Sequence, residues 1–307
     1  MLAKHILTTI AYYDVMNFPL TAFEVWKYLI TLSSKEEVSS WSLKEVMNCL
    51  DKEDSLRGKI GQYRGFYFLK NRQELVAERI IREKISSQKL KKVFRATRFI
   101  RMVPFLRMVA VTGRVAMRNA KTESDLDLFV VFQSGRMFTG RLLLTVLTHI
   151  MGKRRHGERI NDRLCLNYFA TEDGLEVVDK DLFASSEYSF ILPVFDLGVF
   201  EKFQEANRWI EYYRPNFSFP SLPPFRSVRD NLLSKTLRGI GEKLWGWNFL
   251  EKALGRWQLG RIAKDPRTKR EGSRIIANEK TLLFLPVPQG PIIWERFSEK
   301  IGNLSGT

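Results

Sequence analysis

The sequence predicts a mixed α/β (α+β) protein, and two observations lead to that class. Two short apolar runs, Met108–Val111 and Leu126–Phe132, are rich in β-branched residues and have the length of buried strands. Much of the remaining chain repeats apolar residues three or four positions apart, which is the spacing of a helix face. A chain of 307 residues with 44% hydrophobic residues is long enough for two or three domains, each with its own core.

Residues 1–70 are predicted to form a small helical domain that ends in a hairpin. Apolar residues at helical spacing mark a first helix, and capping boxes at Thr21 to Glu24 and at Ser42 to Glu45 each open another. Two short strands, Lys59 to Tyr63 and Phe66 to Leu69, follow. Three helices and a hairpin in this order resemble a winged-helix domain.

The third of these helices decides how the domain is interpreted. In DNA-binding winged helices the third helix enters the major groove. Here Lys44 and Lys52 are accompanied by Glu45, Asp51 and Glu53, which would face phosphate groups unfavourably. We therefore expect a protein contact, or nucleic-acid presentation without sequence reading, rather than sequence-specific DNA binding.

A long basic helix is predicted within residues 71–104, where it links the first domain to the next. Helical periodicity continues to about Thr97. Ile80, Ile81, Ile85 and Leu90 predict an apolar stripe beneath the positive charge.

The stretch from Val109 to Phe132 carries the candidate chemistry. Its first apolar run ends at Gly113, and the second begins with Asp125 and Asp127, whose side chains point the same way because strand residues alternate faces. Two such carboxylates repel unless a cation neutralises them, and Mg²⁺ is typically held by one or two carboxylates with substrate phosphates. A glycine turn lets backbone N–H groups approach those phosphates. We therefore predict metal-assisted phosphoryl or nucleotidyl transfer; the alternative is a solvated strand end or a capping pair.

The same stretch resembles the nucleotidyltransferase superfamily of the DNA polymerase beta-like type. That family's signature is Gly-Ser, a short spacer and Asp-x-Asp at a strand start. Gly113, Ser124, Asp125 and Asp127 match the pattern, while Arg114 stands where the family has serine. The resemblance implies Mg²⁺ or Mn²⁺ held by Asp125 and Asp127, and a nucleoside triphosphate such as ATP near Gly113, Arg114 and Ser124. Arginine can still reach a phosphate as a charged donor.

A third carboxylate on a later strand is also implied by this resemblance. The predicted strand at 164–170 presents Asn167 there, and an amide oxygen can bind a metal but cannot take a proton at neutral pH. Glu176, on a short strand predicted at 175–178, is the other candidate.

The resemblance extends beyond this site. Leu164–Tyr168, Glu205–Trp209 and Arg214–Asn216 resemble motifs of a prokaryotic group in which a winged helix precedes a mixed-sheet nucleotidyltransferase domain, here residues 105–218. A helix is predicted from about 136 to 151. The basic loop that follows it, Gly152–Gly157, is expected to be solvated, with a phosphate clamp as the alternative.

Residues 219–307 are predicted to form a basic, helical C-terminal region. A proline-rich connector at 215–225 precedes a helical segment at 227–262, and a charged loop at 264–274, a strand at 281–287 and a helix at 292–301 follow. The helical segment carries apolar residues on one side: Leu232, Leu233, Leu237, Ile240, Leu244 and Trp245. We expect this side to pack against the catalytic domain; the alternative is a membrane surface.

Charge and composition limit the partners and the compartment. The net charge is +16, and two segments carry the excess: Arg79–Arg107 has 10 lysines and arginines against one acid, and Arg226–Arg274 has 13 against five. These segments predict contact with nucleic acid, nucleoside triphosphates or an anionic membrane, or else solvated helix faces. Two cysteines, no convincing signal peptide and no apolar run of about 18 residues predict a cytoplasmic protein without a transmembrane segment.

These observations predict a Mg²⁺-dependent nucleotidyltransferase that moves a nucleoside monophosphate from a triphosphate to an unidentified acceptor. Arg114 and Asn167 favour an alternative, a degenerate domain that senses nucleotides or regulates nucleic acid without catalysis. A basic adaptor that docks on nucleic acid through the winged helix is a further alternative.

Overall fold

Helices surround one large mixed sheet and one small antiparallel sheet in the computed structural model. It describes residues 1–32, 40–157, 160–219 and 227–305, so part of the predicted connector at 215–225 lies outside the described residues. The predicted α/β class is confirmed. No helix in the described ranges is long and apolar enough to cross a bilayer.

The N-terminal unit follows the predicted order of helices and hairpin. Both capping boxes form, with the Thr21 and Ser42 hydroxyls accepting hydrogen bonds from the backbone N–H of Glu24 and Glu45. The small sheet has the strand order β1-β3-β2 and is antiparallel throughout. Its elements are α1 (Leu2–Val15), β1 (Leu20–Thr21), α2 (Ala22–Lys27), α3 (Leu43–Lys52), β2 (Ile60–Tyr63) and β3 (Phe66–Leu69).

The predicted basic linker is a single helix, α4 (Glu74–Ile100), whose predicted apolar stripe is confirmed at Ile85 and Leu90 but wrong at Ile80 and Ile81. Ile80 and Ile81 are exposed, whereas Arg79, Arg82 and Lys89 are buried. The cations face inward because their ion-pair and hydrogen-bond partners lie on that side of the helix. Arg79 pairs with a carboxylate of α2, Arg82 donates to a backbone carbonyl and an asparagine, and Lys89 donates to loop carbonyls. Part of the positive charge of this segment therefore lies in the interior of the protein, where it forms structural contacts.

The large sheet contains the two apolar runs as adjacent central strands. Its order is β7-β4-β5-β6-β9-β8; β5 and β6 are parallel, and the other neighbours are antiparallel. The strands are β4 (Leu106–Val111), β5 (Leu126–Phe132), β6 (Leu164–Thr171), β7 (Leu192–Asp196), β8 (Arg274–Ala277) and β9 (Thr281–Leu285). The remaining helices are α5 (Gly113–Ala116), α6 (Met137–Ile150), α7 (Leu182–Ser189), α8 (Phe200–Ala206), α9 (Ile210–Tyr213), α10 (Leu232–Trp245), α11 (Asn248–Lys264) and α12 (Gln289–Ser305), with a short 3₁₀ helix at Pro266–Thr268.

Strand β5 is buried on both faces. Phe129 and Val131 belong to a core shared with the N-terminal unit, α7 and α8, while Val130 and Phe132 belong to a second core beneath α4 and α6. The sheet is therefore a middle layer, and the apolar run needs no alternation because neither face meets water.

Of two predictions about connecting segments, the one for residues 175–178 is wrong. Residues 175–178 form no strand; the Asn207 side chain instead accepts a hydrogen bond from Val177 N–H and donates one to the Leu175 carbonyl, so it takes the place of a strand partner. The loop predicted at 264–274 contains the 3₁₀ helix and ends at β8.

The C-terminal region also departs from its predicted packing. The apolar side of α10 was expected to pack inward, but Leu232, Leu233, Leu237, Ile240 and Leu244 are exposed. The reason is that polar groups of α10 make the inward contacts, through Arg238 and Glu242 among others.

A buried carboxylate joins the two ends of the chain. Asp14 of α1 is buried and pairs with Arg72, and with Lys300 of α12. Helix α12 packs against α1, and Phe297 of α12 meets the Tyr12 ring edge-on. The core therefore runs across the boundaries predicted at residues 70, 104 and 218, which stay predictions.

Replacing Asp14 with alanine should lower the free energy of unfolding by about 3 kcal/mol, because two cations lose a buried partner. Urea denaturation followed by circular dichroism measures the loss. Asp54→Ala is the matched control, since Asp54 forms an exposed ion pair with Arg57 and should lose much less. Equal losses in the two variants would contradict the structural role of Asp14.

Candidate functional site

The structure brings the two predicted acids together at the start of β5. Ligand atoms of Asp125, Asp127 and Cys165 all lie within 4.8 Å of one another. Asp127 lies opposite Cys165 in the parallel pairing of β5 with β6. The cluster therefore combines two carboxylates from one strand with a thiol from the next.

Gly113 packs directly against this cluster. It has a positive φ of 63°, and a β-carbon built on it would lie 2.7 Å from Asp127 Oδ2. Any other residue would be strained in this backbone conformation and would fill the space beside the carboxylate. The glycine turn after β4 thus lets the Asp127 carboxylate lie directly against the backbone.

Strand β6 supplies the other side of the cluster. Asp127 pairs with Cys165, but Phe129, two residues later on β5, pairs with Tyr168, which is three residues later on β6. This β-bulge lets both Cys165 and Asn167 reach Asp127. Asn167 Nδ2 donates a hydrogen bond of 3.1 Å to Asp127 Oδ1. Of the two candidates for a third ligand, Asn167 therefore contacts the acids.

Glu176, the other candidate, lies elsewhere. It is exposed and pairs with Lys180 four residues further on. The structure does not bring it into the cluster.

The surroundings of Asp127 raise its affinity for protons. Burial raises the pKa of Asp127 to about 7, and the neighbouring charge of Asp125 acts in the same direction. Burial, followed by the two carboxylates, also raises the pKa of the Cys165 thiol. A thiol that keeps its proton is a poor metal ligand, so the cluster offers a cation mainly oxygen atoms.

An arginine that sequence reasoning did not select completes the cluster. Arg155 lies in the basic loop between α6 and β6, and its Nη1 contacts Asp125 Oδ2 and lies 3.5 Å from Cys165 Sγ. The loop was expected to be solvated, with a phosphate clamp as the alternative. Its only signal in the sequence was the run of cations between two glycines.

The other two predicted binding residues have different surroundings. The Arg114 side chain is exposed on α5. Ser124 accepts a hydrogen bond of 3.0 Å from Lys121 N–H at its hydroxyl, and its carbonyl accepts one of 2.7 Å from buried Lys89. Ser124 therefore helps to hold the loop that delivers Asp125.

A further carboxylate responds to the cluster from a distance. Glu187 lies on α7, and burial raises its pKa to about 7, with the charge of Asp127 as the next cause. No motif spacing connects the two residues, which is why the sequence does not reveal the relation.

A basic cavity of about 850 Å³ continues from the cluster. Arg155, Cys165 and Asn167 line both the cluster and the cavity, whose remaining walls come from α6, α11, the 3₁₀ helix and the edge of the sheet. Its walls carry six lysines and arginines: Arg141, Arg154, Arg155, Arg261, Lys264 and Arg267. The acids and the cavity thus form one site with carboxylates at one end and cations along the rest.

Comparison with protein-family models, curated proteins and solved structures finds no match to this chain. The site is therefore interpreted from its own geometry. Two carboxylates and an amide beside a glycine turn suit a hard divalent cation, and the adjoining cations suit an anionic ligand.

Replacing Glu187 with glutamine should remove a pH dependence of stability. In the wild type the folded-state pKa lies near 7, above the ordinary value of 4.5, so Glu187 stabilises the fold fully below pH 4.5 and this contribution is lost as the pH rises through 7. The difference in unfolding free energy between wild type and Glu187→Gln should therefore fall by about 2 kcal/mol from pH 5 to pH 8.

Denaturation at the two pH values measures this change. Glu176→Gln is the control, because this exposed glutamate pairs at the surface. A difference in unfolding free energy between wild type and Glu187→Gln that stays constant with pH would contradict the buried position of Glu187.

Proposed function

We propose that this protein is a metal-dependent nucleotidyltransferase that moves a nucleoside monophosphate from a triphosphate to an acceptor. The observation that carries the proposal is the pair Asp125 and Asp127 on one side of β5, with Gly113 packed against Asp127. The same pair and the same turn underlie the family resemblance of the sequence.

The donor set fits Mg²⁺ or Mn²⁺. Asp125 and Asp127 would hold the ion, and Asn167 fixes the orientation of Asp127 through its hydrogen bond. When bound, such an ion neutralises charge on the phosphates of the triphosphate. Gly113 packs against Asp127 without a side chain, so backbone N–H groups of the turn can approach phosphates held beside that carboxylate.

Arg155 supplies a positive charge at the same place. Its guanidinium contacts Asp125 and lines the basic cavity, so it can exchange the carboxylate for a phosphate of the substrate. Arg155 therefore balances the acids before the substrate arrives and binds the substrate afterwards.

Transfer requires a proton acceptor when the acceptor group is a hydroxyl. The hydroxyl oxygen forms a bond to the α-phosphorus, the bond to pyrophosphate breaks, and the hydroxyl proton passes to a base. Asn167 cannot take this proton. The proton can instead pass to solvent water or to a phosphate oxygen of the substrate.

The N-terminal unit supports the accompanying proposal of a winged helix. Three helices and a small antiparallel sheet occur in the expected order, and α3 keeps its acidic residues alongside its lysines. A role in contacting protein, or in presenting nucleic acid without reading its sequence, fits this mixed charge. The proposed location of the protein is the cytoplasm, because its proposed substrates, nucleoside triphosphates, occur there.

A second candidate function follows from the Arg155–Asp125 pair and from Asn167. A guanidinium on one acid and an amide in place of a third acid describe a domain that binds a nucleotide without turning it over. Such a domain would act as a nucleotide sensor or a regulator.

Asp125→Asn and Asp127→Asn should each weaken Mg²⁺-dependent binding of a nucleoside triphosphate by about a hundredfold or more, because a metal-holding carboxylate is lost. Isothermal titration with ATP and Mn²⁺ measures the binding, and pyrophosphate release measures turnover. Glu123→Gln is the control, since Glu123 is exposed in the same loop.

Binding that needs both aspartates, accompanied by pyrophosphate release, supports the transferase. Binding without pyrophosphate release supports the sensor. Unchanged metal-dependent binding in both aspartate variants would overturn both functions.

A further inference from the structure

The basic cavity holds more positive charge than its own acids neutralise. Of its cations, Arg155 pairs with Asp125 and Arg267 pairs with Asp265. Across the described ranges, Arg141, Arg154 and Arg261 have no ion-pair partner. These three guanidinium groups belong to α6, to the loop before β6 and to α11, so the fold collects them from three separate segments.

Arg141 contacts two aromatic rings and interacts with the charges of the other two arginines. Its guanidinium lies 5.4 Å and 5.1 Å from the ring centroids of Phe169 and Phe284, and its Nη1 donates to Gln258, while its Nε has no partner. Burial, followed by the charges of Arg154 and Arg261, lowers the pKa of Arg141 to about 10. Like charges held together in this way are stabilised by an anion between them.

Sheet order separates this cavity from the glycine turn. Gly113 follows β4, on one side of β5, whereas the cavity opens at Cys165 and Asn167 of β6, on the other side. Strand β9 pairs with β6 only over Tyr168–Ala170, which leaves the start of β6 beside the cavity.

We propose that this cavity binds the acceptor substrate, and that the acceptor carries two or more phosphate groups. This inference rests on the proposed function, which places the triphosphate at Gly113. The volume suits a small molecule or a terminal nucleotide. Trp257 is half-exposed on the wall of the cavity, beneath the Arg261 guanidinium. Its aromatic ring offers a face on which a nucleobase can stack. A positively charged acceptor such as an amino sugar is excluded by the same cations.

Binding of inorganic tripolyphosphate without divalent metal tests the cavity directly. Arg154→Gln combined with Arg261→Gln should weaken its binding by about tenfold or more, as expected for two lost charged contacts. Lys91→Gln combined with Arg95→Gln is the control for net charge, because both residues are exposed on α4 away from the cavity. Asp127→Asn should leave tripolyphosphate binding in place.

A 5′-phosphorylated dinucleotide and its unphosphorylated form then distinguish a nucleic-acid end from a small phosphorylated acceptor. Equal tripolyphosphate binding by the cavity and control variants would overturn the acceptor site. The nucleotidyltransferase proposal fails separately, through unchanged metal-dependent binding of ATP in the aspartate variants.

A second inference comes from a different surface. Leu233, Leu237, Ile240 and Leu244 lie at positions i, i+4, i+7 and i+11 of α10, so they form one row along the helix. They are 63%, 44%, 51% and 67% exposed. Trp247 and Phe249 continue the exposed apolar surface toward α11.

The opposite side of α10 makes polar contacts with the protein. Arg238 pairs with Asp230 and donates to the Arg101 carbonyl, and Glu242 accepts from Phe105 N–H and from Arg107. The orientation of the helix is therefore held by specific partners, with its apolar row directed outward.

Charge on this surface has one sign. The acids of residues 229–264 all turn inward: Asp230 and Glu242 as above, and Glu251 accepts from Phe138 and Thr139 N–H. The exposed charged residues of the same segment are cations: Arg229, Lys235, Lys243, Lys252, Arg256, Arg261 and Lys264. An apolar row flanked by cations matches an anionic lipid bilayer, whereas a second copy of the surface would bring like charges together.

We infer that α10 lies on anionic membranes, with its leucine and isoleucine row inserted among the acyl chains and the cations at the headgroups. Co-sedimentation with vesicles of phosphatidylcholine, with and without phosphatidylglycerol, tests this. The protein should prefer the anionic vesicles, and added salt should weaken binding.

Leu237→Gln combined with Ile240→Gln should reduce vesicle binding by about tenfold or more, because both side chains lose their apolar burial in the bilayer. Ile80→Gln combined with Ile81→Gln is the control, since these residues are equally exposed on α4. Absence of binding to anionic vesicles would overturn the inference. A wild-type dimer that dissociates in this α10 variant would also overturn it.

Discussion

The register between β5 and its two neighbours is the constraint on which the site depends. Strand β5 is buried on both faces, so its alternation is determined by two cores at once. A shift by one residue would turn Phe129 into the opposite core and move Asp127 away from both Gly113 and Asn167. The packing of large apolar side chains thus determines the position of two carboxylates that contribute little to the core themselves.

Local signals in the sequence were enough for most of the scaffold. The capping boxes, the hairpin and the central strands occur where their residues predict them, because each depends on contacts within a few positions. The two aspartates also follow from strand alternation alone. Arg155 and Glu187 did not, since their relation to the acids arises from residues 30 and 60 positions apart in the chain, which only the folded arrangement brings together.

The two basic helices show a different limit of sequence patterns. In both α4 and α10 the apolar residues have helical spacing, but several of them are exposed while cationic residues of the same helix face inward. Periodicity identifies a helix, but the inward side depends on distant partners such as Glu24 for Arg79 and Arg107 for Glu242. The excess charge therefore divides into an internal share and a surface share that composition alone cannot separate.

The contact between α1 and α12 has a consequence for how the molecule is made. A ribosome delivers Asp14 286 residues before Lys300, so the buried carboxylate of the first helix gains this partner only after that stretch has been made. The N-terminal unit cannot complete its packing as an independent intermediate during synthesis. A product that stopped before α12 would leave the aromatic surface of α1 uncovered.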